Sequence, residues 1–226
     1  MTWGSQFFWV IYPYIILILF LVGLYYRYQT DQFGWTAKSS ELLEKKKLRL
    51  GSNLFHIGII LVFFGHVGGI LIPKSWLSAL GVSDHVYHLM ALSIGTIAGI
   101  MTLIGCIILV VRRLSDVRIR RTSSFGDMLS IILLTLIVVV GMSATLFNMA
   151  GSGEFDYRET IGPWLRGVLI FRPDAALMSE VPLIFQIHVV LGLSLFAVFP
   201  FTRLVHMLSM PVKYLSRSYV VYRKRG

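Results

Sequence analysis

Five long apolar stretches alternate with short polar segments along the chain. Because a hydrocarbon layer about 30 Å thick is crossed by about 20 residues of helix, each stretch is long enough to span a membrane. None carries Asp or Glu in its interior, and Pro13 and Pro200 predict kinks in the first and the last. The pattern predicts an all-α integral membrane bundle of five transmembrane helices, forming one domain over residues 1–226. The predicted spans are about 7–26, 54–72, 86–111, 128–149 and 181–207.

The composition supports a membrane location. Hydrophobic residues make up 56% of the chain and its mean hydropathy is +0.74, values well above those of soluble domains. Only 14% of the residues are charged, yet the net charge is +10, so most of the charges are basic. We interpret this excess as a determinant of topology and expect no nucleic-acid partner.

The basic residues lie mainly on one side of the predicted bundle. Of the 21 Lys and Arg residues, seventeen fall in segments 27–49, 112–121 and 203–225, and four fall in the opposite connections. The positive-inside rule therefore predicts an outside N-terminus and a cytoplasmic C-terminus, in a multi-pass protein of the inner (cytoplasmic) membrane. The N-terminus lacks a basic n-region and no small-residue cleavage site follows the first stretch, so we expect that stretch to remain as a helix.

Four histidines interrupt the second and fifth stretches. His56 and His66 lie in the second, and His188 and His206 lie near the two ends of the fifth. Imidazole is costly to bury in hydrocarbon unless something binds it, so ionisable residues inside a membrane are candidates for function. Two histidines on each of two membrane helices is the pattern expected of two bis-histidine haems. Because Cys106 is the single cysteine, no Cys-x-x-Cys-His attachment site exists, and such haems would be b-type.

Helix geometry predicts how these histidines pair. Along one helix, His56 and His66 would be ~15 Å apart and His188 and His206 ~27 Å, whereas two imidazole nitrogens on one metal lie about 4 Å apart. The second and fifth helices are predicted to be antiparallel, so His56 pairs with His206 near the cytoplasm and His66 with His188 near the outside. Eighteen residues make five whole turns, which would put His188 and His206 on one face. The histidine separations on the two helices differ by ~12 Å. Both pairs can form only if the helices tilt, the chain bends at Pro200 or the two haem planes are inclined differently. The alternative is that the histidines form hydrogen bonds across helices.

Residues near the histidines indicate how cofactors would be held. Arg112, Arg113 and Arg203 are candidate partners of haem propionates, or they are topology anchors whose heads reach the interface. His85 and His88, at the outer mouth of the third helix, are candidates to bind and deprotonate a quinol, or they are solvated or capping residues. Several glycines near the ligands would admit either a flat macrocycle or another helix. They are Gly58, Gly65, Gly68, Gly69 and Gly192.

The longest predicted external segment, residues 150–180, mixes Gly, Pro and charge with apolar residues. It includes Trp164, Leu165 and Val168. This composition is typical of a short interfacial helix or of a cover over an external site. A solvated loop with an interfacial anchor is the alternative.

Five motifs carry a resemblance to a known family: IYPY at 11–14, SNLFHIGI at 52–59, GH at 65–66, HVVLG at 188–192 and FPFTRLVH at 199–206. Over essentially its whole length the chain resembles the gamma subunit of membrane-bound respiratory nitrate reductase, a di-haem cytochrome b. The resemblance implies that His66 and His188 hold a distal haem near the quinol. It implies that His56 and His206 hold a proximal haem, which passes electrons to an iron–sulfur beta subunit and a molybdenum-containing alpha subunit in the cytoplasm.

The resemblance has one departure, at the predicted quinol site. Relatives have a lysine at the outer start of the third helix that is implicated in quinol binding, whereas residues 83–88 read SDHVYH here. His85 or His88 is therefore a candidate substitute, and Gly65, beside His66, is a further candidate for this site.

The predicted function is that of a membrane cytochrome b subunit of an oxidoreductase, the quinol-dependent respiratory nitrate reductase. It would oxidise quinol at the outer side and pass electrons inward through two b haems. One alternative is the cytochrome b subunit of another quinone-linked complex, and a second is a haem-free membrane anchor. A third, an ion or proton transporter with histidine relays, is disfavoured because the predicted spans lack interior Asp and Glu.

Overall fold

The computed structural model describes residues 2–35, 39–149 and 155–209, apart from the side chain of Phe33. These residues form helices and no strands, and five of the helices are long and apolar enough to cross a membrane. The five are α1 (Trp3–Thr30), α2 (Lys46–Leu71), α3 (Asp84–Ser115), α4 (Phe125–Met149) and α5 (Leu183–Phe201). The prediction of an all-α protein with five membrane-spanning helices is confirmed.

The first four helices begin before the apolar stretches that predict them. Hydropathy marks only the residues suited to hydrocarbon, whereas helical hydrogen bonding continues into the polar flanks. At the start of α3, the Ser83 hydroxyl caps the helix by accepting a hydrogen bond from the backbone N–H of Val86 at 3.3 Å. As a result Asp84 and Asp127, which the predicted spans exclude, lie in the first turns of α3 and α4.

The fifth helix is shorter than the predicted span of about 181–207, and the disturbance predicted at Pro200 is a break, not a kink. Pro182 precedes its first residue, Leu183, and the α-helical part ends at Val198. A 3-10 turn follows at Phe199–Phe201, then an extended Thr202 (φ −121°, ψ 176°), then a second 3-10 segment at Arg203–Ser209. Pro200 cannot donate a backbone hydrogen bond, so the helix terminates there instead of bending and resuming.

Pro13 produces an irregularity that α1 tolerates. The chain forms a π-turn at Phe7–Ile11, and Pro13 has no N–H to donate to the carbonyl of Trp9, four residues before it. The indole Nε1–H of Trp164 donates to that carbonyl at 2.9 Å. A neighbouring segment thus satisfies the freed carbonyl, as membrane helices with proline require.

Trp164 belongs to a short helix, Ile161–Leu169, in the connection between α4 and α5. It is only 1% exposed, and it packs with Trp9, Met178 and Val181 in a buried apolar cluster. The described part of this connection, residues 155–180, therefore closes the end of the bundle as a packed cover. Residues 150–154 of the predicted loop lie outside the described residues.

The helices pack in the order α2, α3, α4, α5, α1. A close approach of α2 to α3 depends on Gly58, where a Cβ atom would lie 2.7 Å from the backbone nitrogen of Thr102. By contrast, α2 and α5 are not among the helix pairs that pack closely, and we call the gap between them the α2–α5 cleft. We call the end that carries the α2–α3 and α4–α5 connections the loop end, and the opposite end the basic end.

Candidate functional site: two histidine pairs in the α2–α5 cleft

The four predicted ligands meet in two pairs across the cleft. The ring centroids of His56 and His206 are 6.3 Å apart with an interplanar angle of 67°, and those of His66 and His188 are 6.1 Å apart with an angle of 33°. A metal–nitrogen bond of about 2 Å plus roughly 1.1 Å from nitrogen to ring centre would place two imidazoles on one metal about 6 Å apart. Both pairs have this spacing, so the predicted pairing agrees with the geometry of the cleft.

Three of the four rings have a hydrogen bond that leaves Nε2 available. Nδ1 donates to a backbone carbonyl in His56 (Ser52, 2.7 Å), in His66 (Val62, 2.8 Å) and in His206 (Arg203, 2.6 Å). A carbonyl only accepts, so the proton sits on Nδ1 and Nε2 keeps its lone pair. Fixing the tautomer through the second ring nitrogen is the usual arrangement for a histidine that binds a metal.

The fourth ring, His188, is held by packing. Its Nδ1 is buried and makes no hydrogen bond, although the backbone of Ile137 on α4 lies beside it. A Cβ atom at Gly141 of α4 would lie 2.7 Å from Cε1 of this ring. Gly141 therefore admits the ring between α4 and the cleft, a role that the sequence analysis missed.

Some of the glycines near the histidines have open space beside them. A Cβ atom added at Gly65, Gly68 or Gly192 would meet nothing within 4 Å. At Gly58 or Gly69 it would clash with atoms of a neighbouring segment. The glycines near the predicted ligands thus divide into residues with open space beside them and residues that pack against other segments. Among the described residues, no three His, Cys, Asp or Glu side chains form a metal group. A metal on either pair would need its other ligands from elsewhere, as the four ring nitrogens of a porphyrin provide.

The break after Pro200 brings His206 to His56. His188 and His206 do not share one continuous helix, so the expectation that five whole turns align them is wrong. The extended Thr202 and the 3-10 segment redirect the chain, and they supply the bend that the unequal histidine spacing requires. Arg27 of α1 holds this turn, because its Nη1 donates to the carbonyls of Pro200 at 2.7 Å and Thr202 at 2.8 Å.

The three candidate propionate arginines all have protein partners. The guanidinium of Arg112, 3% exposed, makes four hydrogen bonds to Ser40 and Glu44. Arg203 donates from Nε and Nη2 to the carboxylate of Asp127, and Arg113 Nη1 lies 3.7 Å from the same carboxylate. Arg113 and Arg203 thus lie beside the His206 turn, whereas Arg112 fastens the segment that precedes α2.

At the loop end, the predicted quinol histidines differ in their surroundings. His85 is exposed, whereas His88 Nε2 lies 3.2 Å from Nη2 of Arg158. Arg158 is 3% exposed, and its guanidinium also binds Asp84 at 3.1 Å and Asp156 at 2.8 Å. Lys74 is 2.9 Å from Asp84 and 2.7 Å from Glu159. The structure therefore brings a lysine to the start of α3 from the preceding connection, which the local motif does not reveal.

The charges of this loop-end cluster stabilise one another. Hydrogen bonds to Glu159 and Asp84 raise the pKa of Lys74 above its ordinary value. Burial alone would raise the pKa of the Asp156 carboxyl, but hydrogen bonds and the positive charge of Arg158 lower it below its ordinary value. The cluster thus joins the cover to α3 by ion pairs that are charged at neutral pH.

Comparison with known proteins agrees with this architecture. The family described as nitrate reductase gamma subunit matches residues 5–225. The chain is 57% identical to the nitrate reductase gamma chain of Bacillus subtilis, over 99% of this chain and 100% of that one. It is 38% identical to the respiratory nitrate reductase 2 gamma chain of Escherichia coli, over 98% of this chain and 97% of that one. A nitrate reductase-like protein of Mycobacterium tuberculosis is 43% identical over 98% of this chain, which corresponds to 34% of that protein. The chain belongs to the nitrate reductase gamma subunit family, and it is the multi-pass membrane subunit of an oxidoreductase complex.

Proposed function

We propose that this subunit binds two b-type haems in the α2–α5 cleft and oxidises quinol at the loop end. The observation that carries the proposal is the pair of imidazole spacings, 6.1 Å between α2 and α5 and 6.3 Å between α2 and the 3-10 segment that follows α5. His66 and His188 would hold the loop-end haem, and His56 and His206 the basic-end haem. When bound, haem iron supplies reversible one-electron chemistry.

The described side chains support distinct tasks at the two ends. At the loop end, Gly65 leaves room beside His66, and the exposed His85 is the candidate to accept a proton from quinol. His88 is less suited to that task, because Nη2 of Arg158 already faces its Nε2. At the basic end, Arg113 is the candidate to bind a haem propionate, since its 3.7 Å contact with Asp127 is longer than the hydrogen bonds that join Arg112 to Glu44 and Arg203 to Asp127.

The charge distribution supports a direction for the proposed reaction. The positive-inside rule favours a cytoplasmic basic end and an external loop end. Protons would then be released outside while electrons are delivered inside, a step opposed by about 2.3 kcal/mol per charge per 100 mV of membrane potential. We propose that the exposed Lys45, Lys46 and Arg49 dock an iron–sulfur beta subunit, which in turn serves a molybdenum-containing alpha subunit. Lys38 and the basic residues of segment 210–226 lie outside the described residues.

Haem quantitation on the assembled complex tests the proposal. Wild type should contain two haems per chain, and His56→Ala and His66→Ala should each lose a different one, seen in reduced-minus-oxidised spectra. His85→Ala is the matched control and should keep both haems while lowering quinol oxidation. Wild-type protein without haem absorbance would refute the proposal in favour of a haem-free anchor, and two haems in each of the histidine-to-alanine ligand variants would refute the ligand assignment.

A further inference from the structure

At the basic end, a buried carboxylate of α4 holds the turn that carries His206. We propose that Asp127 is a positioning residue for His206, and that it acts through Arg203 to set the orientation of this imidazole in the basic-end haem site. The inference rests on the haem ligation proposed above. It adds a residue that coordinates nothing itself.

The contacts form a short chain from Asp127 to the ring. Asp127 is 6% exposed, and both of its carboxylate oxygens accept hydrogen bonds from the guanidinium of Arg203. The backbone N–H of Ser124 also donates to Oδ2 of Asp127 at 2.9 Å, which fixes the carboxylate on the first turn of α4. The carbonyl of Arg203 then accepts from Nδ1 of His206 at 2.6 Å. A two-pronged guanidinium–carboxylate contact is directional, so it restricts where the Arg203 backbone can lie.

The turn needs such an anchor because it lies outside the regular helix. Arg203 follows the extended Thr202, so the 3-10 segment with His206 does not inherit its position from α5. The start of α4 lies directly against this turn, since a Cβ atom at Gly126 would be 2.9 Å from the carbonyl oxygen of Phe201. Arg27 holds the opposite side through the carbonyls of Pro200 and Thr202. Asp127 thus anchors the segment between the helix end and the ligand.

Because Asp127 is negatively charged, it attracts two nearby arginines, which an apolar side chain would not do. Arg113 Nη1 lies 3.7 Å from its carboxylate, so two guanidinium groups share one buried negative charge. Replacing Asp127 by Asn keeps the side-chain volume but leaves the two arginines without their counter-charge. Removing one partner of a buried ion pair is strongly destabilising, because the remaining charge is buried without compensation. We therefore expect Arg203 to move and to carry the carbonyl that orients His206.

The test compares Asp127→Asn with the matched control Asp116→Asn in the assembled complex. Asp116 also pairs with an arginine at the basic end, Arg118 at 3.1 Å, but that contact does not involve the His206 turn. In Asp127→Asn, the affinity for the basic-end haem should fall by about 10-fold or more, the range found for partners of metal-binding histidines. Its electron paramagnetic resonance (EPR) signal, which responds to the angle between the two imidazole planes, should shift. The loop-end haem and the Asp116→Asn protein should match wild type.

Two outcomes would overturn the proposal: an unchanged basic-end haem, or an equal effect on both haems. If Asp127→Asn does not assemble, Arg203→Lys provides the second measurement, because lysine keeps the charge and loses the two-pronged contact. This variant should retain two haems and shift the basic-end EPR signal, and an unshifted signal would overturn the proposal. Absence of both haems from wild type would instead refute the proposed function, so the two failures are distinguishable.

Discussion

A methyl group added at Gly141 should displace His188 and selectively weaken the proposed loop-end haem site. The added Cβ would lie 2.7 Å from Cε1 and 3.2 Å from Nδ1 of the His188 ring. Carbon atoms in favourable contact are about 3.5 Å apart or more, so the ring must move by roughly 0.8 Å. That shift is a large fraction of a metal–nitrogen bond of about 2 Å. The His66–His188 pair should therefore lose its matched spacing in Gly141→Ala.

The energetic effect can be separated from helix propensity. Overpacking of this kind costs about 1–3 kcal/mol, whereas replacing Gly by Ala inside a helix contributes about 1 kcal/mol of stability. Gly95→Ala on α3 is the matched control, because its added Cβ would meet nothing within 4 Å. The control should keep wild-type haem content and unfold at the same or a higher temperature.

Haem content per chain and EPR spectroscopy measure the outcome. The interplanar angles of 33° and 67° should give the two proposed haems distinguishable low-spin signals, so the affected site can be identified. In Gly141→Ala, the signal of the His66–His188 site should shift or diminish, while that of the His56–His206 site persists. An unchanged spectrum with two haems would refute the packing role of Gly141, and so would a loss confined to the basic-end site.

Three further outcomes are expected at the loop end. Trp164→Phe should destabilise the protein by about 1–2 kcal/mol in thermal unfolding, because the carbonyl of Trp9 loses its donor; an unchanged midpoint would contradict this. Arg158→Met should increase proteolysis of the α4–α5 connection, because it removes the ion pairs and the contact 4.1 Å above the Tyr87 ring; equal cleavage of the wild type would contradict it. Since the folded-state pKa of Asp156 is lowered, its contribution to stability is present above the ordinary value of about 4 and is lost as the pH falls below it. Hydrogen exchange in the cover should thus accelerate only in acid, beyond the intrinsic pH trend, and Asp156→Asn should reduce this acceleration.

The sequence predicts the helices and the histidine pairing because both depend on distance along the chain. Hydropathy identifies the segments that cross the bilayer, and helical rise converts the positions of His56 and His66 into depths. Depth alone then pairs His66 with His188 and His56 with His206. These inferences survive the error at Pro200, because the broken segment still brings His206 to the depth of His56.

Residues that act through contacts between distant segments were not predictable in the same way. Pro200 predicts a disturbance of the helix, but termination of α5 also requires donors for backbone carbonyls that lose their helical partners, and Arg27 on α1 donates to those of Pro200 and Thr202. Likewise, nothing near Asp127 in the chain indicates that it binds Arg203. Lys74 reaches the start of α3 from a separate short helix, Lys74–Ala79, so a motif confined to residues 83–88 misses it.

The two ends of α5 hold their histidines by different physical means, and this difference follows from the backbone. At the loop end, His188 lies within a regular helix, so its Cα is already positioned and a gap at Gly141 is enough to orient the ring. At the basic end, the helix has ended, so backbone carbonyls need external donors and the ligand segment needs anchors, which Arg27 and Asp127 provide. Steric substitutions should therefore perturb the His188 site most, whereas loss of charge should perturb the His206 site most. If Gly141→Ala, which changes no charge, altered the EPR signals of both sites equally, the two histidines would not be independently positioned.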